Sequence, residues 1–206
     1  MFITLEGPEG SGKTTAVESA VKKLTEMGYQ IVRTREPGGT PISEQIRNVI
    51  LDKDNTAMDG RTEALLYAAS RRQHLVEKVW PAIKEGKIVI CDRYLDSSLA
   101  YQGGARGLGI ENILNINMFA TEGTFPDLTL LFDIAPEIGL ARIAANANRE
   151  VNRLDLEKID FHQKVRNTFL ELAKRYPERF VIIDASKSQE EVAETTLKVI
   201  KDRLCM

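Results

Sequence analysis

Gly7-x-x-x-x-Gly12-Lys13-Thr14 falls between a short apolar run, FITLE, and a segment of helical period. That spacing suits the capture of a polyphosphate. Glycines let successive backbone N–H groups converge on phosphate oxygens, and a helix N-terminus adds positive potential. Lys13 reaches the terminal phosphates, and the Thr14 hydroxyl suits magnesium. A nucleoside triphosphate is therefore the expected ligand. Magnesium held this way usually has an acid at the end of a neighbouring strand as well. The run KIVICDRY supplies Asp92, and beside it Arg93, whose guanidinium suits the charge on a transferring phosphoryl group. Alone, Asp-Arg after a strand is more often a surface ion pair; the phosphate loop upstream favours the chemical reading.

The remaining clusters choose among phosphate-loop proteins. A guanine-reading Asn-Lys-x-Asp run is absent from the sequence, which argues against a GTPase switch, and a motor would carry further domains. Arg35, Arg47, Arg71, Arg72 and Arg93 instead offer grips for a second phosphorylated molecule, so two anionic substrates are expected. Of the two histidines, His74 is given no chemistry. His162, among charged residues on a helical segment, is expected at the surface.

These residues need a scaffold, and 206 residues suffice for one domain with a large core. Nearly continuous apolar runs at 2–6, 30–34, 87–91, 128–134 and 179–184 read as strands covered on both faces, hence parallel. Between them, 13–27, 41–51, 62–80, 111–122, 137–145, 158–176 and 188–204 carry apolar residues at spacings of three and four and read as helices. The expected fold is α/β in three layers, a parallel sheet between helices, as one unit. A net charge of −2, from 28 basic and 30 acidic residues, gives no global field for nucleic acid or an anionic membrane. Without a spanning apolar run, and with Met1 leading straight into a strand, a cytoplasmic protein is expected. Cys91 and Cys205 are too few for a disulfide framework and are expected to be reduced.

Five segments in order, EGPEGSGKTT, TREPGGTPISEQIR, RTEALLYAASRRQH, CDRYLDSSLAYQG and NRLD, make the chain resemble the bacterial thymidylate kinases over nearly its whole length. The resemblance implies a P-loop NTPase fold with a five-stranded parallel sheet and a homodimer. It also implies transfer of the ATP γ-phosphoryl group to dTMP with magnesium, a step toward dTTP. Gly7, Pro8, Glu9, Gly10, Ser11, Gly12, Lys13, Thr14 and Thr15 would hold ATP. Thr14, Asp92 and Glu36 would lie about the metal, with Lys13 and Arg93 among the catalytic groups. For dTMP, Glu36 would lie near the phosphate, Pro37 would set a turn, and Arg47 would bind the phosphate. Tyr67 would stack on thymine, Arg71 would donate to a thymine carbonyl, and Gln102 would read the base edge with Ser97 or Ser98. Tyr101 would close against the 2′ position, favouring deoxyribose, and Glu9 would accept from the 3′-OH.

The phosphate loop here, GPEGSG, lacks the arginine that one subset of the family carries. The missing cation is expected from a mobile lid at 145–155, with Arg149 as the finger and Arg142 as a phosphate contact. The alternatives are another nucleoside monophosphate kinase, or a nucleotide-binding protein that transfers nothing.

Overall fold

The computed structural model describes residues 1–145 and 153–205. Phe2–Glu6 (β1), Ile31–Arg35 (β2), Ile88–Asp92 (β3), Leu128–Asp133 (β4) and Phe180–Asp184 (β5) form one parallel sheet, ordered β2-β3-β1-β4-β5. Successive strand residues face opposite layers. Phe2, Val89, Cys91 and Leu131 enter one core, with Tyr94, Tyr101, Phe161 and Phe169. Ile3, Leu5, Ile90, Leu130 and Phe132 enter the other, with Ala16, Val17, Ala20, Leu24 and Ile200. Two buried faces leave no polar alternation in the central strands, the reason their sequences run nearly continuously apolar, broken inside β1 and β4 only by Thr4 and Thr129, whose buried hydroxyls pair at 3.1 Å.

The helices are Lys13–Glu26 (α1), Pro41–Leu51 (α2), Gly60–His74 (α3), Trp80–Lys84 (α4), Leu95–Ser98 (α5), Ile110–Thr121 (α6), Pro136–Ala144 (α7), Ile159–Arg175 (α8) and Gln189–Leu204 (α9). Local chemistry starts several of them. Asp59 accepts from the N–H groups of Arg61 and Thr62, Pro41 and Pro136 stand at first-turn positions, and Ser188 with Glu191 closes a capping box.

The single helix expected over 62–80 is instead divided. A π-helical turn, Leu75–Val79, joins α3 to α4, and Trp80 N–H donates to the Leu75 carbonyl. The next residue, Pro81, has no N–H to give, so the ladder cannot continue unchanged through it. A second π-helical segment, Leu99–Ala105, continues α5. A one-turn 3₁₀ helix at Arg153–Leu156 precedes α8. Arg149 and most of the 145–155 segment expected to form a lid lie outside the described residues.

Candidate active site

β1 ends at the sheet centre, flanked by β3 and β4, and the chain turns there into α1. The crevice beyond the strand ends at such a position is where open α/β sheets bind ligands. Gly10 makes the turn at φ 71°, where a Cβ would stand 2.1 Å from the Gly139 carbonyl oxygen. Glycine is thus required twice over, by backbone region and by the approach of α7. Lys13 Nζ donates to the carbonyls of Gly7 and Pro8 and to Ser11 Oγ, each at 3.1 Å, which folds its ammonium over the loop. Burial and the Arg93 charge pull that ammonium down to about 8, against Asp92, Glu9 and Glu6.

Thr14 Oγ1 lies 3.4 Å from Asp92 Oδ2, so the helix start and the end of β3 present two oxygen ligands side by side. Arg93, one residue on, adopts φ 65°, a strained region for a side chain with a Cβ. Its Nη2 donates to Glu9 Oε1 at 3.0 Å, its Nη1 donates to Ser97 Oγ at 3.1 Å, and the guanidinium lies 5.1 Å from the Tyr101 ring centre. Tyr101 donates its hydroxyl to Glu9 at 2.6 Å. Burial opposes the Glu9 charge, but Arg93, with His162, Tyr101 and Lys13, holds the carboxyl well below the usual range.

His162, expected at the surface, is 2 % exposed, with Nδ1 3.7 Å from Glu9 Oε2. It stands on the inward face of α8, in step with Val165 and Phe169, a three-and-seven spacing that the surrounding charges obscure.

Behind the loop, Glu6 is buried, accepting from Tyr94 N–H at 2.9 Å and from Ser97 Oγ at 2.5 Å. Burial and the neighbouring Asp96 push its carboxyl up to about 8, against Ser97, Arg93 and Tyr94. Asp96 is itself held by both terminal nitrogens of Arg179, at 2.6 and 2.8 Å.

A cleft of about 400 Å³ opens beside the loop. It is lined by all the residues expected at dTMP: Glu9, Glu36, Pro37, Arg47, Tyr67, Arg71, Arg93, Ser97, Ser98, Tyr101 and Gln102. Arg35, Leu51 and Leu154 line it too. Arg35 and Arg47 both donate to the Pro37 carbonyl, at 2.8 and 3.0 Å, after a cis Glu36–Pro37 bond. Glu36, expected beside the metal, has both oxygens engaged elsewhere: Oε2 accepts from Arg71 Nε at 2.7 Å and Oε1 from His74 Nδ1 at 2.9 Å. Arg71 Nη1 donates to Ser98 Oγ and Asn117 Oδ1, which leaves Nη2 for the cleft. Ser97 is committed to Glu6 and Arg93, and Ser98 to Arg71.

A second cavity, of about 600 Å³, lies on the other side of the loop and shares Gly10, Ser11, Gly12 and Thr15 with the first. Arg142 lines it and donates to the Ala185 carbonyl at 3.0 Å. Lys187, Ser188 and Gln189 line it as well. The sequence reading passed over these three, although they follow β5 at the strand ends where ligands gather in such sheets.

A glycine-rich strand-to-helix loop, a central parallel sheet and two clefts meeting at the loop define a P-loop NTPase fold. The Thymidylate kinase family matches residues 5–196. The chain is 62% identical over 200 residues to a thymidylate kinase of Clostridium novyi, covering 97% of this chain and 98% of that one. It is 58% identical to one of Halalkalibacterium halodurans, covering 100% and 98%. The crystal structure of thymidylate kinase from Ehrlichia chaffeensis superposes with a TM-score of 0.78 at 33% identity, covering 98% of each chain. The chain belongs to the thymidylate kinase family.

Proposed function

We infer that the chain transfers the γ-phosphoryl group of ATP to dTMP, giving ADP and dTDP, a step toward dTTP. The observation that carries this is the meeting of two clefts at one phosphate loop, with Arg93 and Glu9 paired in the wall of the smaller cleft. In this reading ATP lies across the loop, its phosphates on the backbone amides and Lys13. Lys187, Ser188, Gln189 and Arg142 border the cavity left for its nucleoside. dTMP lies in the smaller cleft with its phosphate toward Arg47 and Arg35, thymine against Tyr67, and the base edge toward Arg71 and Gln102. Tyr101, fixed to Glu9, flanks the sugar; a 2′-OH would meet a ring face without hydrogen bonds there. Glu9 accepts from the 3′-OH.

The acceptor is already an ionised phosphate, so no general base is required; alignment and charge neutralisation carry the reaction. Arg93 supplies one cation from the wall of the smaller cleft, and we assign the second to Arg149 of a lid at 145–155 within a single domain. Thr14 and Asp92 are oxygen donors of the kind magnesium takes together with phosphates and waters, and the pair fits that ion. When bound, magnesium would supply positive charge to the phosphate oxygens. Glu36, committed to Arg71 and His74, is assigned to positioning Arg71.

We further propose a cytoplasmic homodimer. No helix among the described residues is long and apolar enough to cross a membrane. α3 and α6 pack together and leave large apolar side chains in solvent: Leu65, Met118 and Phe119, the last 91% exposed. A coupled ADP-release assay over dTMP, dUMP, UMP, CMP, AMP and GMP tests the reading. dTMP is expected to be the preferred acceptor; preference for a purine, or ATP binding without transfer, overturns it.

A further inference from the structure

Glu63, one turn before Tyr67 on α3, belongs to none of the groups above, yet it is only 1% exposed. Gln102 Nε2 donates to its Oε1 at 2.8 Å. Arg106 donates to both oxygens, at 3.4 and 3.3 Å, and Arg153 Nη2 donates to Oε2. Arg153 Nε also reaches the Ile50 carbonyl at 3.2 Å, tying this cluster to α2. Burial opposes the Glu63 charge, but hydrogen bonds from Gln102 and Arg153 and the charges of Arg106 and Arg153 outweigh it and hold the carboxyl below its ordinary range.

An ionised carboxylate only accepts hydrogen bonds, whereas a primary amide has a donor end and an acceptor end of nearly equal shape. Only the NH₂ end of Gln102 can face Glu63 favourably; the reverse would set two acceptors against each other in a buried place. The Oε1 end is then the one left for the cleft that Gln102 lines.

We propose that Glu63 is a specificity-determining positioning residue: by holding the Nε2 end of Gln102, it presents an acceptor to position 3 of the bound base. The site then takes pyrimidines with an N–H at that position, thymine and uracil, and rejects cytosine, whose ring nitrogen there is itself an acceptor. Arg106 and Arg153 keep Glu63 ionised and so keep the amide from turning. The proposal rests on the assignment of this cleft to dTMP.

The test compares kcat and KM for dTMP, dUMP and dCMP in wild type and Glu63→Gln. A glutamine at 63 both donates and accepts, so the Gln102 amide is free to turn. The expected result is a fall of about tenfold or more in the dTMP-to-dCMP ratio of kcat/KM, carried by a higher KM for dTMP. The dTMP-to-dUMP ratio should stay put, because both bases carry the N–H. Since the substitution leaves Arg106 and Arg153 without their carboxylate, it is also made together with Arg153→Met, and thermal melts establish which protein is folded. An unchanged dTMP-to-dCMP ratio in the folded variant, or an equal loss on all three nucleotides, overturns the proposal. Wild-type protein that ignores dTMP defeats the functional reading instead, so the two failures are distinct.

Discussion

Arg93 stands on a left-handed backbone, stacks on Tyr101 and grips Glu9, so three separate constraints fix one guanidinium in the wall of the smaller cleft. Such strain persists only where the surroundings over-determine it. Gly10 is held as tightly by the absence of a side chain. Gly10→Ala would force a Cβ against the Gly139 carbonyl at positive φ and is expected to cost about 1–3 kcal/mol. ATP binding should weaken in parallel; calorimetric titration with unaltered affinity would refute this. Arg149→Ala is expected to lower kcat by about a hundredfold or more while leaving dTMP affinity nearly unchanged. Near-normal turnover would remove Arg149 from the reaction. Lys13 and Thr14 stood out because spacing along one strand-loop-helix unit is itself the signal, and Asp92 because it ends an apolar strand run. Glu6, Glu63 and His162 were not, because the groups they pair with lie 39 or more positions away, and their roles arise from contacts between elements rather than from spacing.

At the scale of elements, the polar groups beneath the site join parts of the chain that the sequence does not pair. Asp96 on α5 meets Arg179 just before β5, with Thr129 of β4 donating or accepting beside them. Both charges are buried, at 0% and 8% side-chain exposure. Arg179→Leu would leave Asp96 without its partner and is expected to cost about 3–5 kcal/mol in a urea or thermal unfolding measurement. Replacing both by apolar residues should cost less than replacing Arg179 alone, and a double variant as unstable as the single would contradict this. Strands and most helix ends were legible to within a residue or two, since apolar period and capping residues are local. The π-helical turns were not: Pro81 marked a disturbance, but the way it is absorbed depends on what α3 and α4 pack against.

The molecule as a whole carries a pH response and an uncovered apolar surface. Glu6, raised to about 8 in the folded chain from an ordinary 4.5, keeps its proton where the unfolded chain has lost it. Its contribution to stability is therefore full below about pH 4.5 and falls as pH rises through 8. Glu6→Gln, which mimics the protonated acid, should flatten that fall; melts from pH 5 to 8 with the wild-type slope would refute it. Phe119→Asp, on the exposed face of α6, should shift sedimentation from dimer to monomer. A wild-type protein already monomeric, or a variant still dimeric, would set that interface aside.

By itself the sequence determined that a loop with phosphate-binding spacing follows β1, that the sheet has five parallel strands, and that Asp92–Arg93 lies at a strand end. Those features depend on residues close together in the chain, where backbone geometry and period impose the pattern. Only the tertiary structure decided that Glu36 pairs with Arg71 and His74, that His162 lies beside Glu9, and that Gln102 meets Glu63. A buried charge takes its role from the groups that fold against it, and no spacing in the chain encodes which groups those are.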